Sequence, residues 1–156
     1  MRKQLMWASA TLALVVAACG GSSPASATSS CANAGAPHHA YVVVQHLSGT
    51  STQKCVGFTE DTIDGQSLMD KSGTEYQAQT FSFGKGACQV DNEPAQFSTC
   101  FPANQPYWAL FVETSGAWAL AAGAFDKAIL HDKEALGWHY IQATDPSPAP
   151  PPLAKQ

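Results

Sequence analysis

Four cysteines, Cys31, Cys55, Cys88 and Cys100, are spread through a stretch of chain too short to rest on a large apolar core. The foldable part runs from His39 to Ala143, roughly 100 residues, which suits one domain and a size that gains from cross-links. Before it, Gly20 to Pro37 is mostly Gly, Ser, Ala, Thr and Pro and reads as a flexible tether. After it, Asp145 to Pro152 (DPSPAPPP) reads as an extended tail without a core of its own. The expected division is a leader over residues 1–18, a tether over 19–39, a domain over 40–143 and a proline-rich tail over 144–156. An even number of cysteines in such a domain predicts disulfides and an oxidising compartment.

Cys88 and Cys100 flank a turn-rich segment containing Asp91-Asn92-Glu93-Pro94 and form the favoured pair. A cross-link closing a loop of that length contributes about 3 kcal/mol. Cys31 with Cys55 is the remaining pairing, although Cys31 falls in the tether. Reading the cysteines as metal ligands calls for closely spaced pairs, and the chain has no C-x-x-C or H-x-x-x-H. No metal site is expected.

The fifth cysteine has a different setting. Arg2 and Lys3 precede Leu5 to Ala18, an uncharged run of Leu, Ala and Val shorter than the ~20 residues of a spanning helix. It ends in Val16-Ala17-Ala18-Cys19-Gly20, which resembles the bacterial lipobox. Cleavage before Cys19 would leave its thiol to carry the lipid, each buried methylene adding about 0.8 kcal/mol of membrane affinity. The alternative is an ordinary secretory signal cut near Ala25 or Ala27, with Cys19 lost. The lipobox reading places the protein outside the cytoplasm, held to a bacterial envelope membrane through Cys19.

Charge removes one class of partner. Of eight Lys and Arg, Arg2 and Lys3 lie in the leader, leaving six lysines and no arginine against twelve acids, a formal charge of −6. Nucleic acid wants cations for its phosphates, so none is expected as a partner.

Along the domain the pattern predicts strands over Ala40–Gln45, Lys54–Thr59, Glu75–Phe83, Ala87–Val90, Tyr107–Thr114, Ala117–Leu120 and Ala135–Gln142. Gly84-Lys85-Gly86 reads as a break, and Ser115-Gly116 as a hairpin turn. Asp64-Gly65-Gln66 leads into a short helix over Ser67–Ser72, stopped by Gly73, with Leu68 and Met69 facing the sheet. The expectation is an α+β domain, mainly β with one short helix.

Several of these features also resemble, in order, the C-terminal β-domain of the transcobalamin and intrinsic-factor family. They are Gly65-x-x-Leu68-Met69 ending at Ser72-Gly73, then Gly86-Ala87-Cys88-Gln89-Val90-Asp91 with Cys100 downstream. Tyr107-Trp108, Trp118, Gly123-Ala124 and Gly137-Trp138-His139-Tyr140 follow, and the likeness spans most of residues 40–142. It implies a small β-grasp-like (ubiquitin-like) domain; in the vitamin carriers this domain covers one face of cobalamin beside a separate helical domain. Here roughly 100 residues leave no place for that helical partner. Leu110 stands where the family often has an aromatic, and Asp132-Lys133-Glu134-Ala135 replaces its usual turn.

Tyr107, Trp108 and Trp118 are the candidate ligand-binding residues. Tyr107 and Trp108 are neighbours on a strand and point to opposite faces, so one ring is core and the other could join Trp118 in an aromatic platform. Of the five histidines, which include His46 and His131, His38-His39 read as solvated and His139 as a strand-pairing position, and Glu60-Asp61 with Asp91 and Glu93 read as turn acids. No nucleophile elbow, zinc-protease helix or phosphate loop occurs, so no catalytic residue and no cofactor are expected. The sequence thus points to a non-catalytic, membrane-tethered binding module, with a corrinoid such as cobalamin as the leading ligand. The alternative is an envelope protein–protein interaction module, docking by strand edges or by the proline tail. Cys19→Ala is expected to move the protein from the membrane to the soluble fraction; undiminished membrane retention would contradict the lipobox reading.

Overall fold

The computed structural model describes residues 31–156. Cys19 and the cleavage region lie outside the described residues. The chain is mostly strand with one short helix, an α+β domain built on a five-stranded mixed sheet.

Strand β1 (His38–Gln45) turns back through Ser48-Gly49 into β2 (Ser51–Phe58), in register from His38 opposite Phe58 to Gln45 opposite Ser51. A two-residue strand, β3 (Ile63–Asp64), leads into helix α1 (Gly65–Ser72). The Asp64 carboxylate caps the helix, accepting the Ser67 N–H at 2.9 Å and its hydroxyl at 2.7 Å. Gly73 ends it at φ 68°, a left-handed conformation that favours glycine. A hairpin of β4 (Tyr76–Phe81) and β5 (Gly84–Val90) follows as a separate two-stranded sheet. Strands β6 (Tyr107–Thr114) and β7 (Ala117–Leu120) form the next hairpin. Its turn, Ser115-Gly116, has positive φ at both positions, as the twist of a tight hairpin requires. A 3-10 turn at Phe125–Lys127 precedes β8 (Ile129–Leu130), which pairs with β3, and β9 (Ala135–Ile141) ends the sheet-forming chain.

The main sheet runs β2-β1-β9-β6-β7, with the first and last strands, β1 and β9, paired in parallel and the other neighbours antiparallel. Its inner face carries Val42 and Val44 from β1, Val56 and Phe58 from β2, Leu136 and Trp138 from β9 and Trp108 from β6. Leu68 and Met69 of α1, with Phe125, press on this face and have no exposed surface. The Trp138 indole N–H points at Met69 Sδ, 3.3 Å away.

The outer face is buried as well, with Tyr41, Val43, Ala109, Phe111, Ala135 and Ile141 all covered. Two segments expected to be loose help to cover it. Cys31 is bonded to Cys55 of β2 and Ala32 bridges Val56, so the domain begins before the tether was expected to end. At the other end the tail is extended, as its prolines dictate, yet it lies on the domain with Pro151 buried.

The boundaries differ most at the β4–β5 hairpin. The strand expected to reach Phe83 ends at Phe81, and Gly84 to Gly86, expected as a break, lie inside β5. These glycines serve close approach. A Cβ on Gly84, whose φ is 123°, would lie 2.5 Å from the Ala124 Cβ, so the 3-10 segment fits only over a bare backbone.

Replacing the helix cap, Asp64→Ala, is expected to cost about 1 kcal/mol at neutral pH. Burial pushes the Asp64 carboxyl up, but the hydrogen bonds from Ser67 outweigh it and hold the group below its ordinary value of 3.8. A depressed folded-state pKa contributes stability above the unfolded value and loses it as pH falls. The wild type should therefore approach Asp64→Ala below about pH 4, in urea melts run across pH; a difference independent of pH would contradict the cap.

Candidate functional site

Strand alternation divides the three aromatics singled out by sequence between the two faces of the sheet. Trp108 points inward and is 4% exposed, its ring against Tyr140 with centroids 4.9 Å apart and its N–H donating to the Glu93 carbonyl at 2.7 Å. Tyr107 and Trp118 lie on the outer face, half-buried against Ala109, Phe111 and Ile141. Tyr107 thus shares the outer face with Trp118, neither ring fully exposed, while Trp108 belongs to the core.

A different set of rings gathers at the surface, two of them exposed and the third half-buried. Phe81 closes β4, Phe83 sits in the turn and Phe101 follows the Cys88–Cys100 disulfide. Phe81 and Phe83 stack parallel with centroids 5.2 Å apart, and Phe101 tilts against both at 5.4 and 6.5 Å. Phe83 is 55% and Phe101 44% exposed, a large solvent-facing share for such side chains. Gly86 makes the arrangement possible, since a Cβ there would fall 2.7 Å from Phe101 Cζ and 3.1 Å from Phe81 Cε2.

The platform stands on a pinned base. The Lys85 N–H donates to Asp126 Oδ1 at 2.7 Å, and Lys85 Nζ to Gln66 Oε1 of α1 at 2.8 Å. The Asp126 carboxyl is held below its ordinary range, first by that backbone N–H and then by Lys127. The disulfide fixes Phe101 to β5, so all three rings are referred to one rigid hairpin. Sequence reading missed this set because Phe81 and Phe83 lay in an expected strand, where both would share one sheet face, and Phe101 lay in a loop. The spacing of Gly86, Cys88, Cys100 and Phe101 is the signal that could have revealed it.

Under the disulfide loop, Pro94, Phe97, Pro106, Tyr107 and Tyr140 line a cavity of about 60 Å³, room for a few waters or a small ion but not for a ring-sized ligand. Burial, then the nearby Glu93 carboxylate, raises the Tyr140 hydroxyl above its ordinary value and keeps it a proton donor. Beside it, His46 knits the loop to β1: Nδ1 lies 2.7 Å from Glu93 Oε2 and Nε2 3.3 Å from Asp91 Oδ2. Asp91 and Asn92, both at positive φ, form the tight turn that presents the two acids. The carboxylates occupy opposite nitrogens of one ring, whereas a metal needs its donors to converge on a point. Among the described residues no group of three His, Cys, Asp or Glu has a metal-holding arrangement.

No family model matches the chain, and none of the curated proteins matches it. Among solved structures, a candidate metal-binding protein from Ruminococcus gnavus is similar at a TM-score of 0.53 and 18% identity. The likeness covers 68% of this chain and 98% of that one, and at this identity it speaks for the fold.

Opening the Cys88–Cys100 loop by Cys88→Ser with Cys100→Ser is expected to lower the unfolding free energy by about 3 kcal/mol. Urea denaturation measures it; a loss below about 1 kcal/mol would show that the loop is held by His46 and Trp108 instead.

Proposed function

We propose that this protein is a lipid-anchored, extracytoplasmic binding module without catalytic activity, which presents a phenylalanine platform to a flat, ring-containing small molecule. A corrinoid is the leading ligand class. The observation that carries the reading is the cluster on a disulfide-braced hairpin in which Phe81 stacks on Phe83, Phe101 tilts against both, and Phe83 and Phe101 are exposed. Exposed aromatic faces offer stacking to a planar ligand, about 0.5–1.5 kcal/mol for each well-placed ring beyond the area buried. A rigid platform also loses little entropy on binding.

Further support comes from the topology. A helix after the first hairpin and a sheet ordered β2-β1-β9-β6-β7 with β1 parallel to β9 suit a β-grasp-like domain related to the β-domain of the vitamin carriers. The Cys31–Cys55 and Cys88–Cys100 bonds are compatible with a place outside the cytoplasm. The attachment proposed is the lipid on Cys19, on the strength of the Val16-Ala17-Ala18-Cys19 motif. Metal binding, the role suggested for the Ruminococcus gnavus protein, is the weaker reading because both nitrogens of His46 already face carboxylates.

Calorimetric titration of the detergent-extracted protein with cobalamin and cobinamide tests the proposal. Binding in the micromolar range or tighter is expected, weakened at least ~10-fold by Phe83→Ala with Phe101→Ala, the equivalent of about 1.4 kcal/mol. Absence of heat at high micromolar concentration would remove the corrinoid. Binding indifferent to the double substitution would place the ligand elsewhere.

A further inference from the structure

On the outer face of the sheet the chain's own tail is seated along a groove. The position a Gly137 Cβ would take lies 2.8 Å from Pro151 Cγ and 2.7 Å from Trp118 Cζ3, so the proline and the indole meet over bare backbone. Ala154 packs on the cluster of Tyr41, Cys55, Ala135 and Trp118. Side chains of the sheet then read the tail's backbone in turn. His139 Nδ1 lies 2.7 Å from the Ala149 carbonyl, and the Ala154 N–H donates to Glu113 Oε2 at 3.0 Å. Gln53 takes Lys155 from both sides, accepting its N–H at 2.8 Å and donating to its carbonyl at 2.7 Å.

A proline-rich strand has too few N–H groups to extend a sheet. It is bound instead by rings that pack on its prolines and side chains that reach its remaining polar groups. The outer face has this construction. Glu113 is a carboxylate only 2% exposed near the end of β6, an expensive residue unless a backbone N–H is delivered to it.

The fit of the tail is incomplete at one atom. Trp118 Nε1 is buried and has no hydrogen-bond partner among the described residues. A buried indole N–H ordinarily finds an acceptor. The tail thus fills the shape of the groove and leaves its central donor unused.

We propose that the outer face is a receptor groove for an extended proline-rich segment of another protein, and that the chain's own tail closes it until such a segment arrives. The partner would set a proline over Gly137, a carbonyl on Trp118 Nε1 and, three residues beyond the proline, a backbone N–H on Glu113. A second copy's tail is the poorer occupant, because it would leave Trp118 Nε1 unmet while competing with an identical segment tethered at high effective concentration.

The probe is a synthetic peptide with the sequence of residues 145–156, titrated into the full chain and into a Pro151→Asp chain, which unseats the tail, with the Trp118 indole N–H followed by NMR. The Pro151→Asp chain is expected to bind the peptide in trans at least ~10-fold more tightly than the wild type, and Trp118→Ala in that background to abolish binding. A folded Pro151→Asp chain that ignores the peptide overturns the proposal. So does dimerisation of the wild type by tail exchange, which would make the occupant a second copy. Should Pro151→Asp fail to fold, amide exchange on the wild type decides: the Ala154 and Lys155 amides must exchange by local release, well ahead of Val42 and Val44. Exchange only with global unfolding would make the tail a fixed part of the fold and end the proposal.

Discussion

The parallel pairing of β1 with β9 joins the first strand to the last, Tyr41 opposite Ala135 through Gln45 opposite His139, and the rest of the domain is arranged around it. These two strands are the middle of the main sheet, with β2 on one side and β6 and β7 on the other. Their side chains are buried on both faces, which is why β1 reads Tyr-Val-Val-Val instead of alternating with polar residues. A sheet buried twice needs two covers. Helix α1 and Phe125 supply the inner one, and the residues around Cys31, Trp118 and the proline tail supply the outer one.

Much of this was legible in sequence, for identifiable reasons. The runs at β1, β6 and β9 are rich in β-branched and aromatic residues and long enough to show their type, and Ser115-Gly116 marks its own hairpin. Asp64 and Gly73 bracket the helix with a cap at each end. Both disulfide pairings are present as expected. The two-residue strands β3 and β8 escaped because so short a segment has no period to read. In sequence Gly84 and Gly86 look like a strand break, whereas their use in the fold is the absence of a Cβ beneath Ala124 and Phe101. That use depends on contacts made by residues far away in the chain. The tail was read through composition alone, which reports that prolines stay extended and is silent on what they lie against.

The aromatic content of the candidate site was harder to place than its chemistry. The sequence pointed to a flat aromatic surface of Trp118 with whichever of Tyr107 and Trp108 lay outside the core. The alternation of β6 sends Trp108 into the core, where the Tyr140 ring tilts against it and the Glu93 carbonyl takes its N–H. The rings left to solvent are phenylalanines, gathered from a strand end, a turn and a loop by one disulfide. Phenylalanine has no polar handle to satisfy, so it can stand exposed beside a ligand's face without an unpaired donor. Trp118, which has one, instead sits beneath the tail with its N–H unused.

The claim on which the functional account turns is the location of the ligand. Determining the structure of the protein with cobinamide bound tests it most directly. The account predicts the ring system lying against Phe83 and Phe101, at the exposed end of the β4–β5 hairpin. A ring system over Trp118 on the outer face, or no bound ligand at saturating concentration, would contradict it.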